Sequence, residues 1–514
     1  MTRVTSARHA YPMAVVAALL LMGFAFLNGY ATFFNDSRSY VRGGAQVVRS
    51  LTHLNIATDW RSRSALGEPS ALGGQTTHSP GGAYVTSNRS VYYGLLAALG
   101  DAAGNFWLTI GVQALSVALL AMLLARRVLG LRPLACLGPV ALISAVSTVG
   151  PFVSYVMPDI FAGVAILGLT LLAFWDRLLR VDRVVVVALV VFAALVHPSH
   201  IALIGALSAA MFAGALTTRA AGTRLVRAGA IGLACAVAGF GGMQAFDLAV
   251  TKINGTPPLV LPHLSAHLTD MGPGTAYLKA HCGGAGPAPF TLCRFTDRLP
   301  QKWSDFMGGS PEGVFVVATP AERAQLSAEQ TRFAIRVFAW DPLGVTAGLA
   351  HDAVSQLARF SLSDFVLTPA VTANFRTAFP PRVWSRIASS MVARQPRVLT
   401  LLSTLSLGSV LISFVGLGWV LHRTWKLERS RAADVGLSVA LVVVGILANG
   451  LITGMLASPF DRFQARVIWL APLVALFALA ALRPRVGRAT DEGGVVSPIA
   501  ASADDDMHTH EGVA

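Results

Sequence analysis

Two aspartates in this sequence lie at the boundaries of apolar segments, where a carboxylate can do chemistry. Asp36 follows the first apolar segment, with Arg38 two residues further on, and Asp159 begins a later apolar segment. A carboxylate so placed can act as a general base on an acceptor hydroxyl. Each position also has a simpler interpretation, because aspartate is a good residue for the start of a helix. Position alone favours a helix cap for Asp36 and leaves the two interpretations of Asp159 equal.

Histidines and arginines occur at the same kind of boundary. His197 and His200 flank a short turn, and Arg462 and Arg466 precede the last apolar segment. Arginine binds phosphate through paired donors and stabilises a leaving phosphate. The alternative for the arginines is a surface ion pair with Asp461. Taken with the two aspartates, these residues suit transfer of a group from a phosphate-bearing lipid.

The composition limits which elements can position these residues. Of 514 residues, 54% are hydrophobic and 13% are charged, whereas about 25% are charged in an ordinary soluble domain. The 40 basic residues exceed the 26 acidic ones and give a net charge of +14. Charge is therefore too scarce to coat soluble domains, and no polar domain exists to carry a nucleic-acid-binding face. We expect an all-α polytopic membrane protein that contacts membrane lipids and does not bind nucleic acid.

Ten apolar runs approach the length that a helix needs to cross a ~30 Å hydrocarbon core. They cover residues 11–34, 106–125, 133–153, 158–174, 184–196, 201–216, 228–246, 398–421, 435–456 and 467–482. The fifth and sixth runs are short, and they form either two crossings or one broken hairpin across 184–216.

Every second connection between these runs is basic. The basic residues are Arg3, Arg8, Arg126, Arg127, Arg132, Arg177, Arg180, Arg183, Arg219, Arg224, Arg227, Arg423, Lys426, Arg429, Arg431, Arg483, Arg485 and Arg488. The positive-inside rule then predicts that both termini lie on the cytoplasmic side of a bacterial-type inner membrane. The first run is interpreted as a retained helix rather than a signal peptide, because no clear small-residue cleavage site ends it.

This topology divides the chain into four parts. Residues 1–246 form an N-terminal transmembrane module with an outward loop at 35–105, and 247–397 form a large extracytoplasmic loop domain of mixed structure. Residues 398–488 form a C-terminal transmembrane module, and 489–514 a disordered cytoplasmic tail. Cys282 and Cys293 fall in the large loop, where an oxidising compartment favours a disulfide. Free thiols or a metal pair are the alternatives.

Several short motifs resemble those of the GT-C superfamily of integral membrane glycosyltransferases. They are the acidic position after the first helix, in Asn35-Asp36-Ser37-Arg38-Ser39-Tyr40, the stretch Asn88-Arg89-Ser90-Val91-Tyr92-Tyr93-Gly94-Leu95-Leu96, the stretch Tyr155–Asp159, and the ending Phe460-Asp461-Arg462-Phe463-Gln464-Ala465-Arg466. The resemblance implies a GT-C-like fold and an enzyme that uses a polyprenyl-phosphate-sugar donor.

The resemblance also implies roles for residues. Asp36 and Asp159 are the expected catalytic carboxylates. The residues expected to bind substrate or phosphate are Arg38, Arg89, His197, His200, Arg462 and Arg466. The acceptor would be a cell-envelope glycan, lipid or protein. A divalent metal ion stays open as a cofactor, since outward acids can serve as base or ligand.

Two other functions compete with a GT-C-type transferase. An O-antigen ligase or polymerase would place its essential arginines and histidines in the 247–397 loop. A flippase or transporter of lipid-linked saccharides would line its path with charges in mid-span, and the sequence shows almost none. No P-loop, dinucleotide-binding fingerprint, zinc motif or nucleophilic-serine elbow is present.

Overall fold

The computed structural model describes residues 10–57, 59–60, 89–218, 221–255, 257–283, 288–425 and 430–483. Part of the predicted outward loop, residues 61–88, and the predicted tail 489–514 lie outside these residues, as do the basic residues Arg3, Arg8, Arg219, Lys426, Arg429, Arg485 and Arg488. Within them the chain is helical, and an isolated parallel β-bridge joins Thr32 and Tyr155. The protein is therefore an all-α polytopic membrane protein, as predicted.

The α-helices are α1 Ala10–Leu21, α2 Gly23–Asn28, α3 Ser37–Thr52, α4 Val91–Ala102, α5 Trp107–Leu123, α6 Pro133–Val146, α7 Val149–Ser154, α8 Ile160–Leu172, α9 Arg180–Val196, α10 Pro198–Thr217, α11 Gly222–Asn254, α12 His263–Met271, α13 Pro273–His281, α14 Val314–Val317, α15 Pro320–Trp340, α16 Pro342–Leu357, α17 Pro369–Ala378, α18 Pro381–Ser389, α19 Met391–Arg394, α20 Arg397–Trp425, α21 Ser430–Leu456, α22 Asp461–Ile468 and α23 Leu470–Leu482. Short 3-10 or π turns occupy Leu124–Val128, Trp175–Arg177, Thr291–Arg298, Asp305–Gly309 and Ser363–Phe365.

Seven helical segments of the described chain are long and apolar enough to cross a membrane. They are Ala10–Asn28, Trp107–Val128, Pro198–Thr217, Gly222–Ile253, Arg397–Thr424, Ala432–Leu456 and Asp461–Leu482. The predicted count of ten is not confirmed. Three predicted runs fall on α6, α8 and α9, which have 14, 13 and 17 residues, whereas a full crossing needs about 20.

The predicted hairpin at 184–216 is broken at His197. α9 ends there, and Pro198 takes the first position of α10. Proline is tolerated at that position because its missing N–H would have no intrahelical partner. The break leaves His197 and Ser199 at the meeting point of two helices.

The described residues form two separate hydrophobic cores. The larger core runs through the membrane helices, and the smaller one, here called the loop core, lies between Leu259 and Leu349. Residues of α17–α19, such as Phe375, Val383 and Val392, pack in the larger core. The predicted loop domain 247–397 is therefore divided by its packing. In the loop core, Cys282 and Cys293 form a disulfide with Cα atoms 5.4 Å apart.

Two backbone contacts bring distant segments together at one end of the helices. Thr32 donates its N–H to the carbonyl of Ser154 at 2.9 Å, which ties the chain after α2 to the chain before α8. α3 crosses α4 at Gly44 and Gly94, where a Cβ on Gly44 would lie 1.9 Å from the Gly94 carbonyl oxygen. Only glycine at that crossing allows so close an approach.

Candidate functional site

Five of the predicted site residues meet at one end of the membrane helices. We call Asp36, Asp159, Arg89, Arg462 and Arg466 the charged cluster. The cluster consists of two groups of ion pairs. Asp36 lies beside Arg89 and Arg462, and Asp159 lies beside Arg466. The four segments that carry them are far apart in sequence, so this convergence is a property of the fold.

Asp36 occupies the position before α3, but its carboxylate does not cap the helix. Instead Ser37 Oγ accepts a hydrogen bond from the N–H of Phe34 at 2.9 Å. The carboxylate of Asp36 accepts a hydrogen bond from Arg89 Nη2 at 2.6 Å, and its second oxygen lies 3.6 Å from Arg462 Nη1. The capping interpretation of its side chain is therefore wrong, and Asp36 is held between two cations.

Asp159 stands directly before α8 and likewise makes no side-chain cap. It is 5% exposed, and its Oδ1 lies 3.7 Å from Arg466 Nη1. Arg466 is 1% exposed and donates to Asn449 Oδ1 at 2.9 and 3.1 Å and to Ser199 Oγ at 3.1 Å. These neutral acceptors fix the guanidinium and leave Nη1 facing Asp159 at ionic distance.

The hydrogen bonds of the two histidines place the ring proton on different nitrogens. Nδ1 of His197 accepts the N–H of Ser199 at 3.2 Å, so a neutral ring carries its proton on Nε2. Burial, with the nearby charges of His200 and Arg466, holds the pKa of His197 well below its usual value. In His200, Nδ1 donates to the carbonyl of Ala193 at 2.9 Å, and Nε2 is left as an acceptor.

Arg462 is placed by aromatic rings and by its own backbone. Its guanidinium lies 4.5 Å from the centre of the Phe34 ring and 5.1 Å from that of Phe463. The backbone N–H of Arg462 donates a hydrogen bond to the Asp364 carboxylate at 3.0 Å. The alternative of an ion pair with Asp461 is not seen, because Asp461 accepts hydrogen bonds from Ser361 and Ser363, each at 2.6 Å.

The charged cluster holds more cation than anion, and its donors are not saturated. Three guanidinium groups face two carboxylates. Within the cluster, three buried nitrogens have no hydrogen-bond partner among the described residues: Arg89 Nε, Arg462 Nη1 and Arg466 Nη1. Buried charge is costly unless paired and hydrogen-bonded. An anion with several oxygens would satisfy both requirements.

The remaining predictions have mixed outcomes. Arg38 is buried in the first turn of α3. In the part of the chain that is described, no three His, Cys, Asp or Glu side chains group as metal ligands. A divalent metal ion therefore stays a prediction.

Sequence reasoning did not find three residues that the structure adds to this region. Ser199 links Arg466 to His197, and Tyr40 lies beneath the Arg89 guanidinium at 5.9 Å. His263 lies near enough for the charges of Arg89 and Asp36 to act on its pKa. The sequence gives a signal for two of them, since Ser199 stands between His197 and His200, and Tyr40 ends the motif that begins at Asn35.

Comparison with known proteins gives no match to a protein-family model, a curated protein or a solved structure.

Proposed function

We propose that the chain is a membrane glycosyltransferase of GT-C type, which moves a sugar or related group from a polyprenyl-phosphate-linked donor to an extracytoplasmic acceptor. The observation that carries this proposal is the charged cluster, in which buried guanidinium donors without partners stand beside two carboxylates. With the charge pattern of the connections, the proposal places both termini in the cytoplasm and the cluster on the outer side of a bacterial-type inner membrane.

In the proposed reaction Asp36 is the general base. The acceptor hydroxyl attacks the anomeric carbon of the donor, and its proton passes to the Asp36 carboxylate. The bond from that carbon to the phosphate oxygen breaks, and its electron pair stays on the polyprenyl phosphate. Arg89 and Arg462 hold the Asp36 carboxylate in place, since they lie 2.6 and 3.6 Å from it.

The arginines also stabilise the leaving group. Charge builds on the phosphate as the glycosidic bond breaks, and fixed donors in a buried site act strongly on such charge. Arg466 is held by Asn449 and Ser199, so its free nitrogen needs no reorganisation. Asp159, at 3.7 Å, keeps that guanidinium from being an unpaired buried charge.

The test is the variant Asp36→Asn in proteoliposomes supplied with labelled polyprenyl-phosphate sugars. We expect transfer to fall by roughly a hundredfold or more, the usual effect of losing a general base, while membrane insertion is unchanged. Asp461→Asn is the matched control, because Asp461 lies at the same end but bonds to Ser361 and Ser363. Full transfer by Asp36→Asn would falsify the assignment of the base.

One observation keeps the ligase hypothesis as a second candidate. His267 and Asp352 form a pair at 2.9 Å, and both lie in the 247–397 segment, where a ligase would hold its essential residues. Under the transferase proposal, His267→Ala changes stability and leaves transfer by the folded protein intact. Loss of transfer in His267→Ala together with activity in Asp36→Asn would favour the ligase.

A further inference from the structure

The loop core extends one helix toward the charged cluster. α12 begins at His263, and its ring is partly buried. Burial and the positive charge of Arg89 lower the pKa of His263 to about 4, and Asp36 opposes them. His263 is therefore a neutral ring within electrostatic range of the cluster, although it belongs to a separately packed part of the chain.

Trp303 is held against His263 by stacking. The two rings lie 5.3 Å apart at an interplanar angle of 19°, and Trp303 also meets Phe460 edge-on at 5.5 Å. Phe460 stands two residues before Arg462, so the tryptophan lies beside the chain that carries the cluster.

Asp270 holds the backbone of Trp303 in place. Its Oδ2 accepts the backbone N–H of Trp303 at 2.9 Å and the hydroxyl of Ser458 at 2.7 Å. Ser458 belongs to the connection between α21 and α22, and Asp270 to α12. One carboxylate thus ties the loop core to the membrane helices at the position of the tryptophan.

The indole N–H of Trp303 is the unexplained part. It is buried and has no hydrogen-bond acceptor among the described residues. A buried indole N–H usually finds a partner, because leaving it unsatisfied costs free energy. A neutral donor matches a neutral oxygen, such as a hydroxyl, whereas the guanidinium groups nearby match phosphate.

We propose that Trp303 and His263 form a saccharide subsite, in which neutral ring N–H groups bind sugar oxygens while the arginines of the charged cluster bind the phosphate of the same molecule. This inference rests on the proposed function and adds which residues recognise the sugar. It also gives the loop core a role, because both rings come from it.

The experiment measures the binding of ligands rather than transfer activity. Wild-type protein in nanodiscs is titrated with undecaprenyl phosphate and with its glucosyl, mannosyl and galactosyl phosphodiesters. We expect at least one glycosyl form to bind more tightly than the bare phosphate. In Trp303→Phe that gain should shrink by roughly threefold to tenfold, the equivalent of one hydrogen bond. Affinity for the bare phosphate should not change.

Trp340→Phe is the control, because Trp340 packs edge-on to Tyr277 of the loop core. It should keep the full gain. His263→Gln is a second variant that keeps a neutral polar side chain, and it should lose part of the gain even if Trp303→Phe does not fold.

The outcomes separate the two proposals. A gain that persists in both variants, or a wild-type protein that binds all forms equally, overturns the saccharide subsite and leaves the phosphate site standing. A wild-type protein that binds none of the four ligands overturns the proposed function and the subsite with it.

Discussion

The two ends of the membrane helices use the same residue types in different ways. At the end opposite the charged cluster, Asp182 is completely buried and accepts three hydrogen bonds. They come from Tyr11 Oη at 2.8 Å, Arg127 Nε at 2.9 Å and the N–H of Leu179 at 3.0 Å. This carboxylate is saturated, so it locks helices together and offers nothing to a ligand.

A second carboxylate at that end differs from the cluster in the exposure of its cations. Asp434 binds Arg177 and Arg224, whose side chains are 44% and 41% exposed. Their excess charge is hydrated. In the cluster, by contrast, the side chains of Arg462 and Arg466 are 13% and 1% exposed.

The difference identifies where a ligand is needed. A guanidinium in water satisfies its remaining donors with solvent, whereas a buried one must find protein or ligand acceptors. Contacts of 3.6 and 3.7 Å to carboxylates supply charge but no good hydrogen bond. Ion pairs hold helices together at the opposite end, whereas in the cluster Arg462 and Arg466 each keep a buried Nη1 that is available to an anion.

The largest effect on stability is expected at the opposite end. Asp182→Ala removes three hydrogen bonds and leaves Arg127 without this buried partner, so unfolding should become easier by about 3–5 kcal/mol. Thermal unfolding in detergent measures the loss. Asp176→Ala is the control, because Asp176 is 69% exposed in its pair with Arg227, and such surface pairs contribute about 0–1 kcal/mol.

The same assay tests whether the two ends differ. Asp159→Asn should cost less than Asp182→Ala, because it removes one ionic contact of 3.7 Å rather than three hydrogen bonds, and Asn449 and Ser199 still accept hydrogen bonds from Arg466. Equal losses in the two variants would remove the distinction between a saturated and an unsaturated end.

A smaller effect concerns binding of the phosphate. Arg462→Met removes one guanidinium whose Nη1 has no hydrogen-bond partner among the described residues. We expect affinity for undecaprenyl phosphate in nanodiscs to fall roughly tenfold to a hundredfold, the equivalent of one charge-assisted hydrogen bond. Arg224→Met, at the opposite end, should bind like wild type. Similar losses in both variants would mean that overall charge, not the cluster, attracts the lipid.

The sequence was sufficient for the fold class and for the residues of the cluster. Apolar runs and charged boundaries are local signals, and Asp36, Asp159, Arg462 and Arg466 stand at such boundaries. The number of spans could not be obtained in this way, because α8 is completely buried yet has only 13 residues. Burial inside the protein and burial in lipid produce the same apolar sequence.

The sequence also does not show which residues far apart in the chain form ion pairs. Nothing in the sequence pairs Asp36 with Arg89 rather than with Arg38, which is closer in sequence. That choice depends on the crossing of α3 and α4 at Gly44 and Gly94. The positions of Trp303 and His263 depend on how the loop core packs, and no periodic pattern in the sequence indicates them.

The smallest expected effect is a difference in response to pH. The pKa of His263 is lowered to about 4, so the unfolded chain, with an ordinary pKa near 6.5, takes up a proton first. The stability contributed by the neutral ring is therefore complete above about pH 6.5 and is lost as pH falls toward 4. We expect a fall of about 2 °C in the unfolding temperature across this window, and His263→Gln should lack that part of the slope. Asp182→Ala, which leaves the histidines of the other end intact, should keep the wild-type slope from a lower starting temperature. A slope that disappears in Asp182→Ala but persists in His263→Gln would place the pH-sensitive group at the opposite end of the helices.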